Sequence, residues 1–133
     1  MNAATEFDLG PLTWVKGEID LALTRAVEAL VQHELNGDAT QLRFCRTHVH
    51  QVNGALSIVG LDGVTQVTES LEALLSALEE QRRTATPDAL ATLTRTLEAI
   101  RRYLDDLVAG EPNQPLRLLP VYAAVAVARG LGT

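Results

Sequence analysis

The feature that most constrains this chain is the step between its large apolar residues. Leu42, Cys45, Val49, Val52, Leu56 and Val59 recur at alternating intervals of three and four, which places all six on one side of an α-helix. Three other segments carry the same signal. Leu12, Val15, Ile19, Leu23, Ala26 and Leu30 mark a helix from about Leu12 to Glu34. Val64, Val67, Leu71, Leu74, Leu75 and Leu78 mark one from about Leu61 to Gln81, and Leu90, Leu93, Leu97, Ile100, Leu104 and Leu107 mark a fourth. Aromatic residues make up only 4 % of the chain, and β-branched residues do not alternate with polar ones over any useful window. The punctuation fits helices too. Asn36-Gly37 and Gly60 supply stops, Asp38 with Gln41 a variant capping box, and Thr86-Pro87-Asp88 a cap, a first-position proline and a first-turn acid.

Short connections between long helices make neighbours antiparallel. The expected fold is therefore all-α, an antiparallel up-down four-helix bundle over about residues 12–107. Beyond Gly110 a turn-rich joint, residues 110–115, leads to a short apolar helix at about Leu116–Arg129, started or interrupted by Pro120 and expected to pack on the bundle end. The 133 residues suit a single domain that buries roughly two-thirds of the surface its unfolded chain exposes. The closing Gly130-Leu131-Gly132-Thr133 carries no terminus signal, so the module is expected to be part of a larger chain.

Charge and composition exclude several functions. Eleven basic residues, only one of them Lys, stand against 17 acidic ones for a net charge of −6. With no basic cluster, nucleic acid and anionic membrane are not expected partners. A single cysteine forms no internal disulfide and no Cys-based zinc site, and Cys45's place on the apolar stripe of the second helix reads as a small buried hydrophobe. Met1–Gly10 holds Glu6 and Asp8 without an apolar run, so it does not read as a signal peptide, and no segment approaches a membrane span. A cytoplasmic location is expected.

Most catalytic constellations are missing. There is no Gly-rich phosphate loop after a strand, no G-x-S-x-G and no H-E-x-x-H. The adjacent acids Glu79-Glu80 and Asp105-Asp106 diverge by about 100° on a helix and read as solvated faces. His48 and His50 point about 200° apart, so they cannot chelate one metal, and no metal or cofactor is expected.

What remains is the surface of the second helix. His50 borders the buried face set by Val49 and Val52, and Gly54 stands one turn on. Glycine inside a helix costs about 1 kcal/mol relative to alanine and so invites a reason. Either it packs against a neighbour beside an ordinary border histidine, or it leaves room for a partner to reach the imidazole. Arg46, Thr47 and Ser57 share that face by spacing. An exposed neutral imidazole with small polar and cationic neighbours suits a phosphoryl acceptor, since it is nucleophilic near pH 7 and its N-phosphate is labile enough to pass on.

His50-Gln51-Val52-Asn53-Gly54-Ala55 resembles the motif of histidine-containing phosphotransfer (HPt) domains, in which His is followed by Lys at +3, Gly at +4 and a small residue at +5. Val59-Gly60-Leu61 and Leu71-Glu72 fall where such domains carry Gly-Leu and Leu-Glu. Trp14-Val15-Lys16-Gly17-Glu18-Ile19 with Val49–Gly54 is similar to the N-terminal HPt-like region of CheA-like hybrid histidine kinases of the type IV pilus and twitching-motility system. The resemblance implies a two-component phosphorelay domain with no self-contained catalytic site. His50 would accept a phosphoryl group, Gly54 would make room, and Gln51, Asn53 and Arg46 would flank the phosphate. The implied partners are a response-regulator receiver domain and a histidine kinase catalytic domain. Asn53 departs from the family's Lys, which opens a second reading: a degenerate docking module that binds another regulator without being phosphorylated.

Overall fold

The computed structural model describes residues 8–131. The reading of Met1–Gly10 falls mostly, and that of Gly130–Thr133 partly, outside the described residues. Five α-helices follow in order: α1 Leu9–Asn36, α2 Ala39–Ile58, α3 Asp62–Glu79, α4 Pro87–Val108 and α5 Leu119–Ala128, the last preceded by a 3-10 turn at Pro115–Leu118. The first four form the up-down bundle. α1 packs on α2, α2 on α3, and α4 closes back on α1. Of the four apolar stripes, every residue is buried except Val15, which is half-buried. No helix among the described residues is long and apolar enough to cross a membrane.

The helix ends follow local chemistry. Gly37 takes φ +68°, where its N–H reaches back to the His33 carbonyl at 2.8 Å and closes α1. The Asp38 carboxylate then accepts the Thr40 N–H at 2.9 Å. The expected box with Gln41 does not form, because the Asp38 N–H is already taken by the Asn36 side chain at 2.8 Å. Thr86 caps α4 through the Ala89 N–H at 3.1 Å.

α5 departs from expectation. Instead of sitting on the bundle end, it lies along the flank, in contact with both α3 and α4, which stand further apart than the other neighbouring helices. The joint is what steers it there. Pro115 crosses directly over Gly63, where an added Cβ would lie 2.4 Å from the proline ring. Tyr103 donates to Asn113 at 2.6 Å, and Arg117 spans the Tyr103 ring and Asp106. At the far end Arg129 donates to Ser70 at 3.1 Å. α3 therefore buries Ser70 and Ala77 as well as its bundle-facing stripe.

Of the adjacent acids, Glu80 and Asp105 are exposed as expected, whereas Glu79 and Asp106 are half-buried, and all four have cationic partners. Asp105 and Asp20 share Lys16, tying α4 to α1, while Asp106 takes Arg117 and Glu80 takes Arg82. Glu79 has the largest role and belongs to the site below.

Cys45 is fully buried, and burial pushes its thiol up to about 12 from an ordinary 9.0. Between those values the unfolded chain loses the proton and the folded chain keeps it, so this group withdraws stability as pH rises through that window. The expected outcome at pH 8 is that a thiol reagent modifies Cys45 only after denaturant is added. Rapid modification of the native chain would contradict the packing of α2.

Candidate functional site

The site is a seam between α2 and α3, built by their antiparallel register. Asn53 meets Thr68, His50 meets Glu72, and Arg43 and Arg46 both meet Glu79. His50 is the most open of these, with 75 % of its side chain exposed. Its Nδ1 lies 3.0 Å from Glu72 Oε1. A carboxylate only accepts, so this contact puts the proton on Nδ1 and leaves the lone pair on Nε2, facing solvent. Glu72, 23 % exposed, is anchored on α3 and holds the ring in one orientation.

Side chains on a helix lean toward its N-terminus, so a residue covers the turn before its own Cα. A side chain at position 54 would therefore lie over His50. Gly54 is exposed, and a Cβ built there meets nothing within 4 Å. The packing explanation for this glycine is thereby removed; what its bareness uncovers is the imidazole. By the same rule His50 leans over the turn that carries Arg46 and Thr47.

The other sequence candidates divide. Thr47 is exposed on the outer ridge, its hydroxyl donating to the Arg43 carbonyl at 3.0 Å. Asn53 turns to α3, where its Oδ1 accepts from Thr68 at 2.6 Å, so only its neutral amide NH₂ remains for a ligand. Gln51 faces the other way. It lines a groove with Glu18, Leu21 and Arg25 of α1, and its Oε1 lies 3.2 Å from His48 Nδ1. It does not flank His50. Ser57 is two turns along, ~10 Å up the axis on the side from which His50 leans away.

Arg46 does not reach into solvent beside His50. Its Nε donates to Glu79 Oε2 at 2.8 Å, and Arg43 Nε donates to Oε1 of the same carboxylate at 2.9 Å. The hydrogen bonds from Arg46 and Arg43 hold Glu79 below the usual carboxylate range, and the bond to Glu79 raises Arg46. Glu72 and Glu79 are the residues that spacing alone could not find. Both lie on α3, and only the pairing of α3 against α2 brings them to the histidine helix.

The Hpt domain family matches this chain over residues 12–106, the span of the bundle. The chain belongs to the Hpt family. No curated protein and no solved structure matches it at a significant level. As an Hpt domain it has a phosphotransfer role in two-component signalling, with response regulators and kinases as its kind of partner. A docking module that never carries phosphate is not favoured.

Proposed function

We propose that His50 is the residue of this Hpt domain that accepts and passes on the phosphoryl group. The observation that carries this reading is the Nδ1 contact to Glu72 at 3.0 Å, with Nε2 left open before the bare turn at Gly54. In the step, the Nε2 lone pair attacks phosphorus, an N–P bond forms and the donor's bond to phosphorus breaks. The ring becomes cationic and keeps its Nδ1 proton, which Glu72 stabilises as it stands. Onward transfer reverses this, with the receiver's carboxylate as the attacking group. No proton has to leave Nδ1 at either stage, so the domain needs no base of its own. The partner supplies the remaining charge stabilisation, and Gly54 admits it.

Residues 12–107 then act as the transfer module, with α5 as a flank element of the same unit. The likeness of Trp14–Ile19 and Val49–Gly54 to CheA-like hybrid kinases supports a place in a type IV pilus control system, within a larger chain and in the cytoplasm. Incubation with a cognate kinase core and ATP is expected to label the chain with phosphate that is lost in acid and kept in alkali, mapping to the peptide that contains His50. Absence of label with a verified fold and several donors would return the docking reading. An acid-stable label would mean a hydroxyl acceptor.

A further inference from the structure

The Arg43–Arg46–Glu79 cluster carries a charge surplus that the fold does not need. One half-buried carboxylate, 15 % exposed, binds two guanidinium groups. Taking a lone Arg from such a carboxylate would strand it, at a cost that would keep the Arg in place. Arg46 Nη2 also reaches Oε1, at 3.4 Å, but Arg43 Nε holds that oxygen more closely, at 2.9 Å, so Glu79 stays paired if Arg46 leaves. Arg46 stands one turn before His50, a spacing at which side chains approach to ~6 Å. His50 leans over that same turn. The position three residues after His50 holds Asn53, which is neutral and tied to Thr68.

Resting on His50 as acceptor, we infer that Arg46 is a stored phosphoryl ligand: it sits on Glu79 while His50 is free and turns to the phosphoryl group once His50 carries one, with Arg43 keeping Glu79 neutralised. A phosphoryl group carries about −1.5 to −2 charge at pH 7 and offers three acceptor oxygens, against −1 and two oxygens on Glu79. It also matches the guanidinium fork. The exchange therefore favours phosphate. The missing +3 cation is replaced from −4, and the cation is kept off the imidazole until there is charge for it to meet.

The test uses the whole chain phosphorylated with phosphoramidate, which needs no protein partner, and follows the phosphoryl group's second ionisation by ³¹P NMR. Arg46→Gln is expected to raise the group's proton affinity about threefold, the scale of an exposed ion pair. Glu79→Gln, which frees Arg46, is expected to lower it. Arg43→Gln, which leaves Glu79 to Arg46 alone, is expected to raise it. The decisive arm repeats the last two in the Arg46→Gln background, where both effects should vanish. Helical content and melting of each variant are recorded alongside. A phosphorylated chain whose ³¹P titration ignores Arg46→Gln overturns this inference and leaves His50 as the acceptor. Effects of Arg43→Gln and Glu79→Gln that persist without Arg46 overturn it too, because they would reflect the local field alone. A chain that takes no phosphoryl group on His50 overturns both readings.

Discussion

His50→Gln is expected to abolish labelling by a kinase core while leaving helical content and the melting curve almost unchanged. Glutamine keeps a polar side chain of similar reach, but its amide nitrogen lone pair is delocalised and does not attack phosphorus. The loss should therefore be complete. The fold should not notice, because the imidazole is 75 % exposed and its one hydrogen bond runs to Glu72, which solvent can satisfy. Surface changes of this kind fall within about 0.5 kcal/mol. Labelling is read by acid-labile phosphate, stability by thermal unfolding followed by circular dichroism. Label persisting in the variant would move the acceptor to another side chain and sink the motif argument. A large drop in melting temperature would mean that His50 is a structural member of the α2–α3 seam.

The two halves of that seam were not equally legible in the sequence. The buried face of α2 could be read residue by residue, since Leu42, Cys45, Val49, Val52, Leu56 and Val59 all lie in the core. A helix period fixes which residues share a face. It says nothing about which turn of the next helix stands opposite. His50 and Gly54 were therefore found from their own helix, whereas the pairing of His50 with Glu72 required the register of α3. The same holds for Glu79: beside Glu80 it looks like one more surface acid, and only the α2–α3 pairing reveals two arginines on it. Gln51 shows the opposite case. Its neighbour relation to His50 in sequence is real, but consecutive helical residues point about 100° apart, and that rotation carries Gln51 to the α1 groove. α5 was recognisable as a helix, yet its docking along the flank depends on Pro115 finding Gly63, a contact between residues 52 positions apart with no periodic signal.

Gly54→Leu separates a docking role from a folding role because the two predict opposite signs for stability. With a Cβ at position 54 in open space, replacing glycine in an exposed helix interior should stabilise the chain by about 0.5–1 kcal/mol. That corresponds to a rise of roughly 2–4 °C in melting temperature. The same leucine leans over His50 and holds a docking surface away from Nε2. Displacing a reacting pair by about 1 Å can cost on the order of 10²-fold, so transfer from a kinase or to a receiver should fall by at least that factor. Phosphoramidate, small enough to approach from the Thr47 side, should lose less than about tenfold. Gly54→Ala should match or slightly exceed the stability gain, alanine being the best helix former, with a smaller transfer defect. A destabilised Gly54→Leu chain would show that α2 needs the glycine for itself. Unimpaired transfer in a stabilised chain would show that the partner reaches His50 by another path. The combination expected here, a more stable domain that its partners can no longer use, arises only if the helix gives up stability at this position to keep the imidazole bare.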